Sequence, residues 1–250
     1  KNTHKLIREL QPKAVIFSDA GPDIRWVGNE KGYASKTTWS NIYRDSLYAG
    51  MPNYNKFSSG QELGTHFIPT ETDVSIRPGW YYHPEEDDKV KSLDKLIDIY
   101  FNSIGLNSSL LLNIPVDKRG LIHENDAKSM LELGQYLKNT FNENLIKESK
   151  ITYNGNIHPI NKITDKNINT FSTINSKKNN YITISLNEKK VADVFEVSEN
   201  INLGQRIKEF KLEIKSNDKW IKIEKGTTVG SKRLIKFDPM EIKELRFTVI

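Results

Sequence analysis

Cysteine is absent from the 250 residues. That rules out disulfides and thiolate metal sites and leaves the redox compartment undecided. No run approaches the ~20 consecutive apolar residues that a membrane helix needs, so no membrane partner is expected. Phosphate loop, dinucleotide fingerprint and Gly-x-Ser-x-Gly elbow are all missing. His4, His66 and His158 lie in no metal-like spacing. Neither a cofactor nor a metal is therefore expected. No signal peptide is visible, and an initiating methionine is missing too. The chain starts at Lys1 and runs straight into a helical pattern, which reads as a processed, cleaved or partial product.

The composition is that of a globular protein, with 28% charged and 36% hydrophobic residues. The net charge of +5 is unevenly spread. Residues 1–149 carry 18 Lys and Arg against 20 Asp and Glu, a net of −2; residues 150–250 carry 19 against 12, a net of +7. The basic half lacks an Arg-rich stripe or a recognition-helix pattern. It reads as lysines scattered over solvated strand faces, and no nucleic-acid partner is expected.

Helical and extended patterns alternate up to about residue 147. "THKLIRELQP" is a helix stopped by Pro12. "AVIFSDA", from Ala14 to Ala20, reads as a strand buried on both faces. A second extended segment lies within "THFIPTETDVSI". "SLDKLIDIYFNSIGLN" is an amphipathic helix with Ser92 as N-cap and Gly105 as stop. "SSLLLNIPVD" is another buried strand, and "HENDAKSMLELGQYLKNTF" a further helix. This is the rhythm of a parallel α/β fold. Polar residues gather after the strands' C-terminal ends, where a (β/α)8 barrel builds its site. A whole barrel takes roughly 250 residues. Residues 1–147 therefore read as the C-terminal part of a barrel, with about three strands, whose bare edges require an upstream half. From residue 148 to 250, seven or eight short runs with period-2 alternation predict a β-sandwich of galactose-binding-like or jelly-roll type.

Two clusters could carry chemistry. In "GPDIRWVGNE", Asp23, Arg25, Trp26, Asn29 and Glu30 fall close together. Such a mixture suits a sugar site, and equally a surface turn with an Asp23–Arg25 pair and a half-buried Trp26. In "IPTETDVSIRPGWYYH", Glu71, Asp73, Arg77, Trp80, Tyr82 and His83 read either as a pocket wall or as an edge strand before a Pro-Gly turn. Trp39 is a loop contact or a plug beneath a long loop. Asn113 is a rim contact or a strand cap. His123 reads as a helix cap. In the sandwich, Trp220 and Tyr181 could line a sugar site, but a structural buttress with Trp220 in the core is favoured.

"IRELQPKAVIFSDAGPDIRWVGNEKGYA", "IPTETDVSIRPGWYYH" and "SLLLNIPVDKRGLIHEND" resemble the α-L-fucosidases of glycoside hydrolase family 29. The closest resemblance is to the branch that cleaves α-1,3/1,4-linked fucose from branched, Lewis-type glycans. The C-terminal "VFEVSENINLGQRIKEFKLEI" is similar to the sandwich that follows the barrel in that branch. The resemblance implies a retaining hydrolase in which one carboxylate attacks the sugar and a second protonates the leaving oxygen. It implies a fucosylated oligosaccharide or glycoconjugate as partner and favours a periplasmic or secreted location. It makes Glu30 of "RWVGNE" the acid/base, with Glu71 as runner-up. Asp23, Arg25 and Trp26 would shape the site around Glu30; Glu71, Arg77 and Trp80 would contact fucose or a neighbouring galactose. The family's nucleophile, an Asp in a W-F/L-D-G-A strand end before the "RELQP" helix, does not occur here and is expected upstream of Lys1. Asp19 is a less favoured substitute. The other reading is a non-catalytic carbohydrate-binding module.

Overall fold

The computed structural model describes residues 2–18, 21–51, 57–153, 162–174 and 180–250. Asp19, Ala20 and His158 lie outside the described residues. Two compact units divide the chain, residues 1–91 with 98–126 and residues 92–97 with 127–250.

The first unit is built on a parallel sheet. Helix α1 (Asn2–Leu10) comes first, then strands β1 (Arg25–Trp26), β2 (Asn41–Ile42), β3 (His66–Phe67) and β4 (Thr70–Ser75). Helix α2 (Leu93–Asn102), strand β5 (Ser108–Asn113) and helix α3 (Glu124–Thr140) follow, the first half of α2 and all of α3 after Asp126 being counted in the second unit. The sheet order is β1-β4-β5, all parallel, and β2 and β3 form a separate antiparallel ribbon. This is α/β barrel wall. Ser92 caps α2 as expected, its Oγ accepting from Lys95 N at 3.4 Å.

Three sequence expectations are corrected here. The Ala14–Ala20 run is not buried on both faces. Its described part makes one parallel bridge, Phe17 to Ile24, and Val15 and Phe17 stay 66% and 50% exposed. Among its described residues the run pairs only through this bridge, just before β1, so hydrophobicity alone misjudged its burial. Likewise β5 alternates rather than being wholly buried, and Leu111 is exposed. Conversely, Arg25–Trp26 is itself a strand rather than part of a turn. Two residues are too few to show a period, but Arg25 pairs with Thr70 and Trp26 with Glu71.

The connection from β1 to β4 contains only the β2–β3 ribbon and 3-10 turns, with no α-helix among its described residues. An irregular crossover leaves backbone carbonyls without helical partners. Arg25 supplies donors. Its side chain is fully buried on the face of β1 away from the site. It donates to Trp39 O at 2.7 Å, to Phe57 O at 3.3 Å and to Ile68 O. Gly60 lies against this cradle at φ +66°, where a Cβ would sit 2.0 Å from Trp39 O and 2.8 Å from the guanidinium. Trp39 is buried and is a plug.

The second unit holds an antiparallel sheet of β6 (Lys150–Tyr153), β7 (Asn180–Val197), β8 (Glu209–Ser216), β9 (Lys219–Thr227) and β10 (Arg233–Val249), in the order β6-β7-β10-β8-β9. Seven apolar runs therefore make five strands. "NYITISL" and "VADVFEV" are one 18-residue strand, and "RLIKF" and "KELRFTV" belong to one 17-residue strand. Pro239 falls where the β7–β10 register shifts between Lys236 and Met240. A proline cannot donate to a ladder, so it sits at an irregularity rather than ending the strand. The sheet folds back on itself there. Phe195 and Phe247 lie at opposite ends of the β7–β10 register, yet their rings stack at 5.8 Å, and Phe210 stacks on Phe247 at 5.5 Å. One core runs through both layers, with Ile184, Leu212, Ile214, Ile235 and Leu245 buried in it, which makes the unit a sandwich. Trp220 is not in the core. The Arg246 guanidinium lies 3.9 Å from its ring centroid and 4.6 Å from that of Tyr181.

Candidate active site

Strand alternation sorts the first unit's residues. On β4, Thr70, Thr72 and Val74 are buried on one face, while Glu71, Asp73 and Ser75 share the other. The register sets Ser109, Leu111 and Asn113 beside these three on β5 and Trp26 beside Glu71 on β1. This polar face carries the site.

Glu30 stands in the loop directly after β1. Asn29 shapes the turn: its Oδ1 accepts from Lys31 N at 3.0 Å and its Nδ2 donates to Tyr33 O at 3.1 Å. The loop is then pinned to β4 by Gly32 N donating to Asp73 O at 3.1 Å. Gly32 has φ +75°, and a Cβ there would sit 2.9 Å from both Val74 and Ile99. Glu30 is exposed, but its Oε2 accepts from Trp80 Nε1 at 2.8 Å. A matching contact lies beside it, where Trp26 Nε1 donates to Asp73 Oδ1 at 2.7 Å. Two indoles thus hold two carboxylates.

Burial pushes both Glu71 and Asp73 above the ordinary carboxylate range. Their anionic neighbours add to this, Asp73 acting on Glu71 and Glu30 on Asp73, while the Trp26 bond opposes part of the rise at Asp73. Glu71, Asp73 and Glu30 make no ion pair among the described residues.

The turn carrying Trp80 is held from behind. Asn113 Nδ2 donates to Trp80 O and to Ser75 Oγ, both at 3.0 Å. Lys91 Nζ donates to Ser75 O at 2.6 Å and to Arg77 O at 3.2 Å. Arg77 is fully buried against Asp126, also fully buried, with Nε to Oδ2 at 2.9 Å. It also binds Asp87 Oδ1 at 2.9 Å and His83 O at 3.3 Å. His123 Nε2 lies 3.3 Å from Asp87 Oδ2.

The structure therefore brings Glu30, Trp26, Glu71 and Trp80 together and turns three other candidates elsewhere. Arg25 and Arg77 are both fully buried, Arg25 against backbone carbonyls and Arg77 against Asp126, Asp87 and His83 O. Asp23 does not pair with Arg25. It accepts from Arg8 at 2.5 Å and from Ile16 N at 2.8 Å, tying α1 to the sheet edge. The Arg8 bond holds its carboxyl below the ordinary range, against a smaller opposing effect of burial. Asp73 was in the sequence cluster without being singled out. Its signal was the period of two in Glu71-Thr72-Asp73, which on a strand puts both acids on one face.

The family model for alpha-L-fucosidase matches residues 2–142. Alpha-L-fucosidase 1 of Arabidopsis thaliana is 36% identical over 255 residues, covering 98% of this chain and 50% of that protein. A Ruminococcus gnavus GH29 fucosidase solved in complex with fucose superposes with a TM-score of 0.85 at 29% identity, covering 98% of this chain and 52% of that one. A glycoside hydrolase 29 member from an unknown rumen bacterium gives a TM-score of 0.83 at 33% identity, over 100% of this chain and 42% of that one. The chain spans about half the length of these relatives. With the family model matching more than half its residues and the same barrel wall and sandwich in the solved relatives, this chain belongs to the alpha-L-fucosidase family.

Proposed function

We propose that this chain is the acid/base-bearing portion of a retaining exo-α-L-fucosidase that releases α-1,3/1,4-linked fucose from branched, Lewis-type glycans. Residues 1–147 form the C-terminal part of its catalytic barrel and residues 148–250 its sandwich. The observation that carries the reading is Glu30, at the C-terminal end of a parallel barrel strand, gripped by Trp80 beside Asp73 and Glu71. With Oε2 occupied by the indole N–H, the transferable proton belongs on Oε1. As the glycosidic bond breaks, its electron pair goes to the leaving oxygen, which takes that proton. The anomeric carbon bonds to a nucleophilic carboxylate supplied upstream of Lys1, about 5–5.5 Å from Glu30. Water then attacks the covalent intermediate and returns a proton to Glu30. The exposed edge at Val15 and Phe17 and the exposed Leu6 and Leu10 of α1 support docking of an upstream barrel half. Trp26 and Trp80 offer apolar plates to the sugar.

In full-length protein, Glu30→Gln removes release of fucose from poor leaving groups, and azide restores turnover of an activated aryl fucoside. Near wild-type rates on a natural oligosaccharide would end the assignment. The isolated 1–250 chain is expected to be inactive; fucosidase activity from it would refute an upstream nucleophile.

A further inference from the structure

We infer that Asn113 is a positioning residue for the proton donor: from the end of β5 its side-chain amide holds the Trp80 carbonyl, and the Trp80 indole in turn holds the Glu30 carboxylate. The inference rests on the reading of Glu30 as acid/base, and its test separates the two.

The relay joins the C-terminal ends of all three strands of the parallel sheet. Glu30 follows β1, Trp80 follows β4, and Asn113 ends β5. Asn113 Nδ2 to Trp80 O is 3.0 Å, and Trp80 Nε1 to Glu30 Oε2 is 2.8 Å. Among the described residues these are the two hydrogen bonds that Trp80 makes. The flanks of its turn are fastened separately. Lys91 Nζ donates to Arg77 O at 3.2 Å, Arg77 Nη1 to His83 O at 3.3 Å, and Tyr82 Oη to Asp87 Oδ2 at 3.3 Å. Trp80, between them, depends on Asn113.

The residue type fits the task. An asparagine amide carries two N–H donors. The register sets Asn113 beside Ser75; its amide donates to Ser75 Oγ at 3.0 Å and also crosses to the turn. A backbone carbonyl only accepts, so Trp80 O fixes which way the amide points. Aspartate would face that carbonyl with a second acceptor, and serine has one donor on a shorter arm. With its N–H groups spent inside the protein, Asn113 has none to give a sugar. Glu30 is exposed, and an exposed glutamate has several rotamers of similar energy. The indole bond selects one, occupying Oε2 and leaving Oε1 for the transferable proton. A shift of the turn by about 1 Å would take that 2.8 Å contact out of hydrogen-bond range. Asn113 holds the turn against such a shift.

The test is a leaving-group series of aryl fucosides on full-length protein, because proton donation matters most where the leaving oxygen is most basic. Asn113→Ala is expected to lower kcat/KM about 10–100-fold for phenyl fucoside. For dinitrophenyl fucoside, whose leaving group needs little protonation, the expected loss is below about threefold. Trp80→Phe keeps a ring and removes the indole N–H, and is expected to show the same dependence on leaving group. Adding Asn113→Ala to Trp80→Phe is expected to steepen that dependence no further, since the two residues act in one relay. Equal losses across the series, or leaving-group effects that add in full in the double variant, overturn the inference. If Asn113→Ala fails to fold, Asn113→Ser, with a hydroxyl beside Ser75 but too short an arm for Trp80 O, is read in the same series with the same outcomes. Glu30→Gln is the reference. A steep dependence for Glu30→Gln with a level one for Asn113→Ala ends the inference and keeps the function. Level losses for both end the reading of Glu30 as proton donor, and the inference with it.

Discussion

Replacing Arg25 by Met tests whether this residue holds the fold or the sugar. The guanidinium donates to Trp39 O, Phe57 O and Ile68 O from a fully buried position. The Phe57 bond, at 3.3 Å, is the weakest geometrically. Counting only the other two, two buried carbonyls lose their donor at ~1–3 kcal/mol each. Methionine fills most of the volume and removes a buried charge, returning part of the several kcal/mol that its desolvation cost. The net expectation is a destabilisation of about 2–4 kcal/mol. With an m-value of about 2 kcal/mol per molar urea, the midpoint falls by about 1–2 M. Arg25→Lys reaches one carbonyl and should lose roughly half as much. The measurement is urea unfolding followed by tryptophan fluorescence, because Trp39 lies in the same buried cradle. In parallel, KM for an aryl fucoside is taken in full-length Arg25→Lys protein below the transition. The expected result is a lowered midpoint with KM within about twofold of wild type. An unchanged midpoint with KM raised tenfold would refute the cradle and restore Arg25 to the sugar site.

Four further outcomes are expected. Gly60→Ala, which forces a Cβ to 2.0 Å from Trp39 O, destabilises the first unit by at least about 1–3 kcal/mol through strain at positive φ and displacement of Arg25, read by the same unfolding assay. Asp126→Asn leaves the buried Arg77 charge with Asp87 as its only anionic partner among the described residues and costs about 3–5 kcal/mol; an unchanged melting temperature would count against that pair. Phe247→Ala, in a core site stacked by Phe195 and Phe210, costs about 3–5 kcal/mol, read as the thermal shift of the second unit. Asp23 has a folded-state proton affinity below the ordinary one, so its contribution is complete above about pH 4 and is lost as pH falls through the carboxylate range; Asp23→Asn should flatten that part of the acid stability profile, and an unchanged slope would dismiss the α1 tether.

Periodicity and punctuation made much of this legible. The α2 and α3 helices, strands β4 and β5, and the alternation of "EFKLEIKS" follow from residue spacing alone. What stayed hidden depended on partners distant in sequence. Arg25 and Arg77 read as sugar contacts because a buried guanidinium and a ligand-binding one look alike until their acceptors are known, and those lie up to 49 positions away. The exposure of Phe17 reflects which strand stands beside it.

The folding-back of the second unit has a thermodynamic corollary. Because β7 and β10 each contribute to both layers, neither layer is a separate chain segment that could melt while its counterpart persists. Loss of the Phe195–Phe247 contact unzips the same two strands in both directions. Amides on Ile184 and Phe195, although in different layers, should therefore exchange with solvent through one global opening rather than in succession.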